Sequence, residues 1–164
     1  MISFDTTFLT LMFVPGAKHE IANAKERIEF LISEVNGAGE RILIPAPAFS
    51  EVLIKSGDAR NEIISVLTKS SKFLIGAFDT RCALELSLMS DAAFTRGDKR
   101  DGAAGTWTKV KFDRQIVAIT KTYGARIIYT DDGAVRATAA REGLASLGVA
   151  DIKIPGKIQG GFWS

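Results

Sequence analysis

The chain has 164 residues, 46% hydrophobic and 24% charged, with a formal net charge of +2. This length and balance fit one folded domain over residues 1–164 and exclude long-range disorder. No apolar run is long enough to span a bilayer, no secretory signal opens the sequence, and a single cysteine, Cys82, excludes an internal disulfide. A cytoplasmic location is the expectation.

The predicted elements alternate. Residues 1–5 form a short strand that ends on an acid, Asp5. From Lys18 to Val35 the apolar positions Ile21, Ala24, Ile28, Leu31 and Val35 fall at helical spacing, and Asn36-Gly37 supplies the stop. Arg41–Pro45 is a second, buried strand. Pro47 opens a helix that runs to Lys55, and Asp58 is placed to cap the next one, around Ile63 to Leu67. Lys72–Ala77 is the third strand, followed by a helix from Thr80 to Met89 that Asp79 caps. Residues 91–107 are rich in Gly, Asp, Lys and Arg without periodicity, which predicts a mobile loop. Thr108 opens a helix that closes at Gly124. Arg126–Thr130 is the fourth strand, a helix runs through Ala139, and Asp151–Ile154 is the last strand. Residues 157–164 are left as a tail.

Strands alternating with helices imply parallel pairing, because each crossover returns the chain to the same end of the sheet. Right-handed crossovers then gather the C-terminal strand ends on one edge, where open sheets of this type bind ligands. Asp5, Asp131 and Asp132 follow strands directly. Glu51 lies early in the helix after the second strand, and Asp113 early in the helix before the fourth. Each has a structural explanation of its own: Glu51 and Asp113 suit first helical turns, and Asp131-Asp132 suits a turn before Gly133. Asp5 is the hardest to account for so, since an acid directly after a buried strand needs a partner.

Taken together, close carboxylates repel unless a cation joins them. A donor set of oxygens selects hard ions, Mg2+ or Mn2+, which activate water and polarise phosphoryl oxygens. The lone histidine, His19, and the lone cysteine exclude a His/Cys zinc site, and no nucleophile elbow accompanies them.

Four segments, in order, resemble the motifs of the PIN-domain ribonucleases, most closely the VapC-type toxins. They are Ile2-Ser-Phe-Asp5-Thr6, Pro47-Ala-Phe-Ser-Glu51-Val-Leu, the Ile- and Ala-rich stretch opened by Asp113 and closed near Gly124, and Tyr129-Thr130-Asp131-Asp132. The resemblance implies a three-layer α/β/α PIN-like fold around a mainly parallel five-stranded sheet. It also implies an endoribonuclease using Mg2+ or Mn2+, frequent homodimers and, for the toxin branch, a cognate antitoxin. It gives Asp5, Glu51, Asp113 and Asp132 the catalytic and metal-binding roles and makes Asp131 a further metal candidate. Thr6 and Thr130 become supporting residues.

Arg96, Lys99, Arg100, Lys109, Lys111 and Arg114 flank Asp113 in sequence and are candidates to grip an RNA backbone, with a solvated surface loop as the plainer account. Trp107 is read first as a loop anchor and only second as a base-stacking platform. Glu85 is read as solvent-facing or supporting, and Cys82 as a small core residue. Two other functions compete. One is a non-catalytic PIN-like module that binds RNA or protein. The other is a haloacid-dehalogenase-type phosphatase, which requires an acid two residues after Asp5, where Thr7 stands. A phospho-receiver calls for paired acids after the first strand and a phospho-acceptor after the third; Asp79 follows the third strand, but Asp5 stands alone.

Overall fold

The computed structural model describes residues 1–154; the expected tail lies outside them. Five short strands, β1 (Ile2–Phe4), β2 (Ile42–Pro45), β3 (Phe73–Gly76), β4 (Ile127–Tyr129) and β5 (Ala145–Leu147), form one sheet in the order β3-β2-β1-β4-β5. Every pairing is parallel. Seven α-helices connect them: α1 (Thr6–Phe13), α2 (Ala24–Gly37), α3 (Ala46–Lys55), α4 (Arg60–Lys69), α5 (Thr80–Thr95), α6 (Trp107–Thr122) and α7 (Gly133–Arg141).

Side-chain alternation along the strands divides the interior. Ile42 and Ile44 of β2 join a large cluster with Phe8 and Leu9 of α1, Ile28 and Leu31 of α2, and Val52 of α3. Leu43, between them, joins a smaller cluster with Cys82 of α5 and Ile119 of α6. Helices therefore cover both faces, as a parallel sheet requires. On β1, Ile2 and Phe4 belong to the large cluster, while the buried Ser3 hydroxyl pairs with Thr120 Oγ1 at 2.9 Å. That bond satisfies a polar group the core would otherwise penalise.

Gly76 marks a close approach of β3 to α6. A Cβ there would lie 2.7 Å from Ile119 Cγ2 and 2.9 Å from Leu43 Cδ1. Gly76→Ala is expected to destabilise the protein by about 1–3 kcal/mol through overpacking, read as a lower urea midpoint at unchanged slope.

Several expected elements move. Residues 6–13, where no element is expected, form α1. Their run Thr-Thr-Phe-Leu-Thr-Leu-Met-Phe is apolar on most sides and masks the helical period, as in any helix buried nearly all round. The helix expected from Lys18 begins at Ala24, after Asn23 in the left-handed conformation at φ 57°. Asp58 sits in a one-turn 3-10 segment, Gly57–Ala59, and its side chain does not cap α4. The fifth strand is Ala145–Leu147, not Asp151–Ile154; the latter begins in a 3-10 turn, Val149–Asp151. The loop expected over 91–107 is shorter, because α5 continues to Thr95 and α6 starts at Trp107. The intervening residues are braced by an Arg96–Asp101 ion pair at 2.7 Å and by Asp98, which accepts from the Arg100 and Gly102 amides. Arg141 of α7 adds a second ion pair to Asp101 at 3.2 Å.

Candidate metal centre

The register of the sheet builds the centre. Phe4 of β1 is paired with Tyr129 of β4, so the residues that follow, Asp5 and Thr130, emerge side by side at the same edge. The Asp5 amide donates to the Tyr129 carbonyl at 3.1 Å, extending the ladder by one step. Asp5 then turns the chain into α1 as its N-cap, accepting from the Phe8 amide at 3.1 Å. Its second carboxylate oxygen accepts from the Thr130 hydroxyl. Asp5 is 3% exposed, and burial pushes its pKa up to about 7 against the lowering effect of these hydrogen bonds.

Glu51 arrives from the next strand along. Pro45 ends β2, Pro47 lies in the first turn of α3, and Glu51 follows in the second turn. One of its oxygens accepts from Thr6 Oγ1 at 2.9 Å and the other pairs with Lys55 at 2.8 Å. Partial burial raises its pKa, but the bonds to Lys55 and Thr6 prevail and leave it below the ordinary carboxylate range.

Thr106 caps α6, its hydroxyl accepting from the Lys109 amide at 3.3 Å. The helix carries Asp113 inward, where it is buried. Asp132 caps α7, its Oδ1 accepting from the Ala134 and Val135 amides at 2.8 and 3.2 Å. Lys109 connects the two. Its Nζ lies 2.8 Å from Asp113 Oδ2 and 2.7 Å from Asp132 Oδ2. Burial raises the pKa of Asp113 despite Lys109. Burial also raises that of Asp132, but Lys109 and the two helix amides outweigh it and bring the net value down.

Asp5, Glu51, Asp113 and Asp132, with Thr6, line one hollow of about 630 Å³ at the C-terminal edge of the sheet. Asp113, Asp132 and Lys109 also line a second hollow, of about 390 Å³, between α7 and the loop bearing Arg100 and Gly105. The donor chemistry of the first hollow, carboxylates and hydroxyls, suits a hard divalent ion. Among the described residues, however, no three acidic, histidine or cysteine side chains are arranged to share one ion, and the Lys109 ammonium stands between Asp113 and Asp132.

The remaining candidates scatter. Asp131 points away from the hollow: its Oδ2 meets His19 Nε2 at 3.0 Å, and its Oδ1 accepts from the Val149 amide. His19 Nδ1 accepts from the Ile21 amide at 3.1 Å, so the sequence's only histidine ties the chain before α2 to the turn after β4. Of the basic residues, Arg96 pairs with Asp101 and Lys109 with the acids. Arg114 is buried, donating to the Lys99 carbonyl at 2.8 Å. Its guanidinium lies 5.5 Å from the Trp107 ring, which Lys99 and Lys111 also approach. Trp107 meets Phe94 edge-on, which anchors the loop. Arg100 is exposed and borders the second hollow. Glu85 pairs with Lys121 at 2.5 Å, Cys82 is buried, and Asp79 caps α5.

Sequence reasoning missed Lys109 as a partner of the acids. The signal was its spacing: a lysine four residues before Asp113 on one helix lies over the same face.

No family model matches the sequence, and no curated protein matches it significantly. The fold does match. A chain in the crystal structure of VapBC2 from Rickettsia felis, bound to a DNA fragment from its promoter, superposes with a TM-score of 0.59. It has 13% sequence identity over 90% of this chain and 98% of that one. The five-stranded, all-parallel sheet with helices on both faces is thus an α/β fold of the PIN-like kind.

Proposed function

We propose that this protein is a metal-dependent endoribonuclease and the toxin of a toxin–antitoxin pair. One observation carries the reading: four carboxylates, delivered by four separate segments, border one hollow at the sheet edge. Such convergence is costly without a cation, because each carboxylate raises the energy of its charged neighbours. Asp5, Glu51, Asp113 and Asp132 are the residues that would hold Mg2+ or Mn2+. A bound ion of this kind polarises a phosphoryl oxygen and makes water nucleophilic near neutral pH.

The chain's own residues divide the remaining work. Thr130 and the Phe8 amide fix the Asp5 carboxylate, and Thr6 orients Glu51. Asp5 holds its proton until about pH 7 in the free protein, so binding of a cation there releases a proton. Arg100, exposed at the rim of the second hollow, and the exposed Lys99 and Lys111 near Trp107 supply positive charge for an RNA backbone. Arg114 acts indirectly, by holding the loop that carries Lys99.

The resemblance of the four motifs to VapC-type toxins, and the fold shared with a VapBC2 chain, support an antitoxin as partner; the motif resemblance alone suggests a homodimer. Among the described residues no helix is long and apolar enough to cross a membrane.

Purified protein is expected to cut RNA in Mg2+ or Mn2+ and to stop when EDTA removes the ion. Equal cutting in EDTA would overturn the proposal. A second reading, a non-catalytic module that binds RNA, draws on Lys109 filling the space between two of the acids. Stoichiometric RNA binding without turnover in any metal would favour it.

A further inference from the structure

Lys109 stands in the middle of the acidic hollow, and its surroundings keep it there. Its ammonium makes two charge-assisted bonds, at 2.8 and 2.7 Å, to carboxylates from different helices. Asp113 is buried and would otherwise face Asp132 and Glu51 with no compensating charge. The lysine stem runs against Gly105, where an added Cβ would sit 3.2 Å from Lys109 Cδ, so the absence of a side chain at 105 leaves room for it. The Lys109 side chain is about half exposed, at 49%, which leaves its head group a path to solvent without movement of α6.

We propose that Lys109 is the resident counter-ion of the hollow. It neutralises Asp113 and Asp132 in the metal-free protein and competes with a divalent ion for the same two carboxylates, so that metal binds only as the ammonium swings out. The inference rests on the metal-centre reading above and adds a built-in competitor to it. A tethered ammonium in this place has two consequences. It stabilises the empty protein, because two like charges stay paired. It also weakens metal binding, because the bonds to Lys109 must be surrendered first.

The test is direct Mn2+ binding, read from loss of the electron paramagnetic resonance signal of free Mn2+ as full-length protein is added. Wild type, Lys109→Met and Lys109→Gln are compared. Both variants are expected to bind Mn2+ at least roughly tenfold more tightly than wild type, about 1.4 kcal/mol. In EDTA they should melt below wild type, and saturating Mn2+ should raise their melting temperatures by more than it raises that of wild type. Should the Met variant fail to fold without metal, the Gln variant, which retains a donor for one carboxylate, gives the same comparison. Equal or weaker binding in both variants, with wild type still binding, overturns the competitor role and leaves the metal centre standing. Absence of Mn2+ binding in all three proteins overturns both.

Discussion

Asp5→Asn is expected to lose RNA cleavage by on the order of a hundredfold or more while gaining stability. Replacing residues that merely support a metal ligand costs 10–100-fold in many metal sites, and loss of a ligand's charge costs no less. The fold should survive, because the Asn carbonyl still accepts from the Phe8 amide and so keeps α1 capped. The stability gain follows from burial. In the metal-free protein Asp5 has a pKa of about 7, against an ordinary value of 3.8. Between those values the folded protein retains a proton that the unfolded chain has released. Stability therefore falls as pH rises from about 4 to about 7 and is flat above. The gap corresponds to about 4 kcal/mol at its upper limit. The Asn variant lacks this penalty. Its unfolding free energy in EDTA should exceed that of wild type at pH 8 and converge with it near pH 4. A variant less stable than wild type at pH 8 would show that Asp5 is held in place as a structural anion.

Phe8→Ala carries the largest expected structural loss. Phe8 is fully buried, with its ring centroid 5.4 Å from that of Phe4 and 5.5 Å from that of Tyr129. Its removal leaves a cavity between α1, β1 and β4 and should cost about 3–5 kcal/mol. For a domain of this size each kcal/mol is worth roughly 2–4 °C, so calorimetry should register a drop of roughly 6–20 °C. The exposed Leu88 is the matched control, with an expected change within about 0.5 kcal/mol on substitution by alanine. The Phe8 amide also holds Asp5, so the cavity should lower metal affinity as well as stability. A melting temperature within 2 °C of wild type, a threshold set by the same scaling, would contradict the packing account.

The layout of the fold was legible wherever the sequence kept a clean period or a clear boundary. The strands at 2–4, 42–45, 73–76 and 127–129 are short apolar runs between turn signals, and α3 and α6 have distinct openings at Pro47 and near Thr108. Alternation then predicted parallel pairing, which placed the strand ends on one edge. The failures have local causes. α1 is too apolar for its period to show, although Asp5 three residues before Phe8 was a cap in plain sight. β5 is only Ala-Ser-Leu, too short for a period to show, and is defined by its backbone bonds to β4, whereas Asp151–Ile154 alternates without a strand to pair with.

That Asp5, Glu51 and Asp132 meet at one edge follows from the order of strands and helices, whereas Asp113 joins them because α6 carries it into the same hollow, which strand ends alone do not reveal. What each acid touches does not follow from that order. Asp131 and Asp132 are neighbours in sequence, yet one faces His19 and the other Lys109, because Asp132 must turn its side chain back to cap α7. Likewise, six basic residues close together in sequence have four different fates. Arg114 points inward, Lys109 joins the acids and Arg96 meets Asp101, while the others stay at the surface. Helical rotation and local pairing decide such matters, and composition carries no trace of them.

Strand order also governs when the centre can exist. The middle strand is the first to be synthesised, but one of its two neighbours comes from residues 127–129, and Thr130 and Asp132 follow those. A ribosome adding about 5–20 residues per second must therefore work for several seconds after Asp5 emerges before its hydrogen-bonding partner exists. Until then the nascent chain carries half a pocket. Any product cut short before residue 127 is left with an open edge on β1 and an incomplete set of acids, and that unpaired edge is free to pair with another chain.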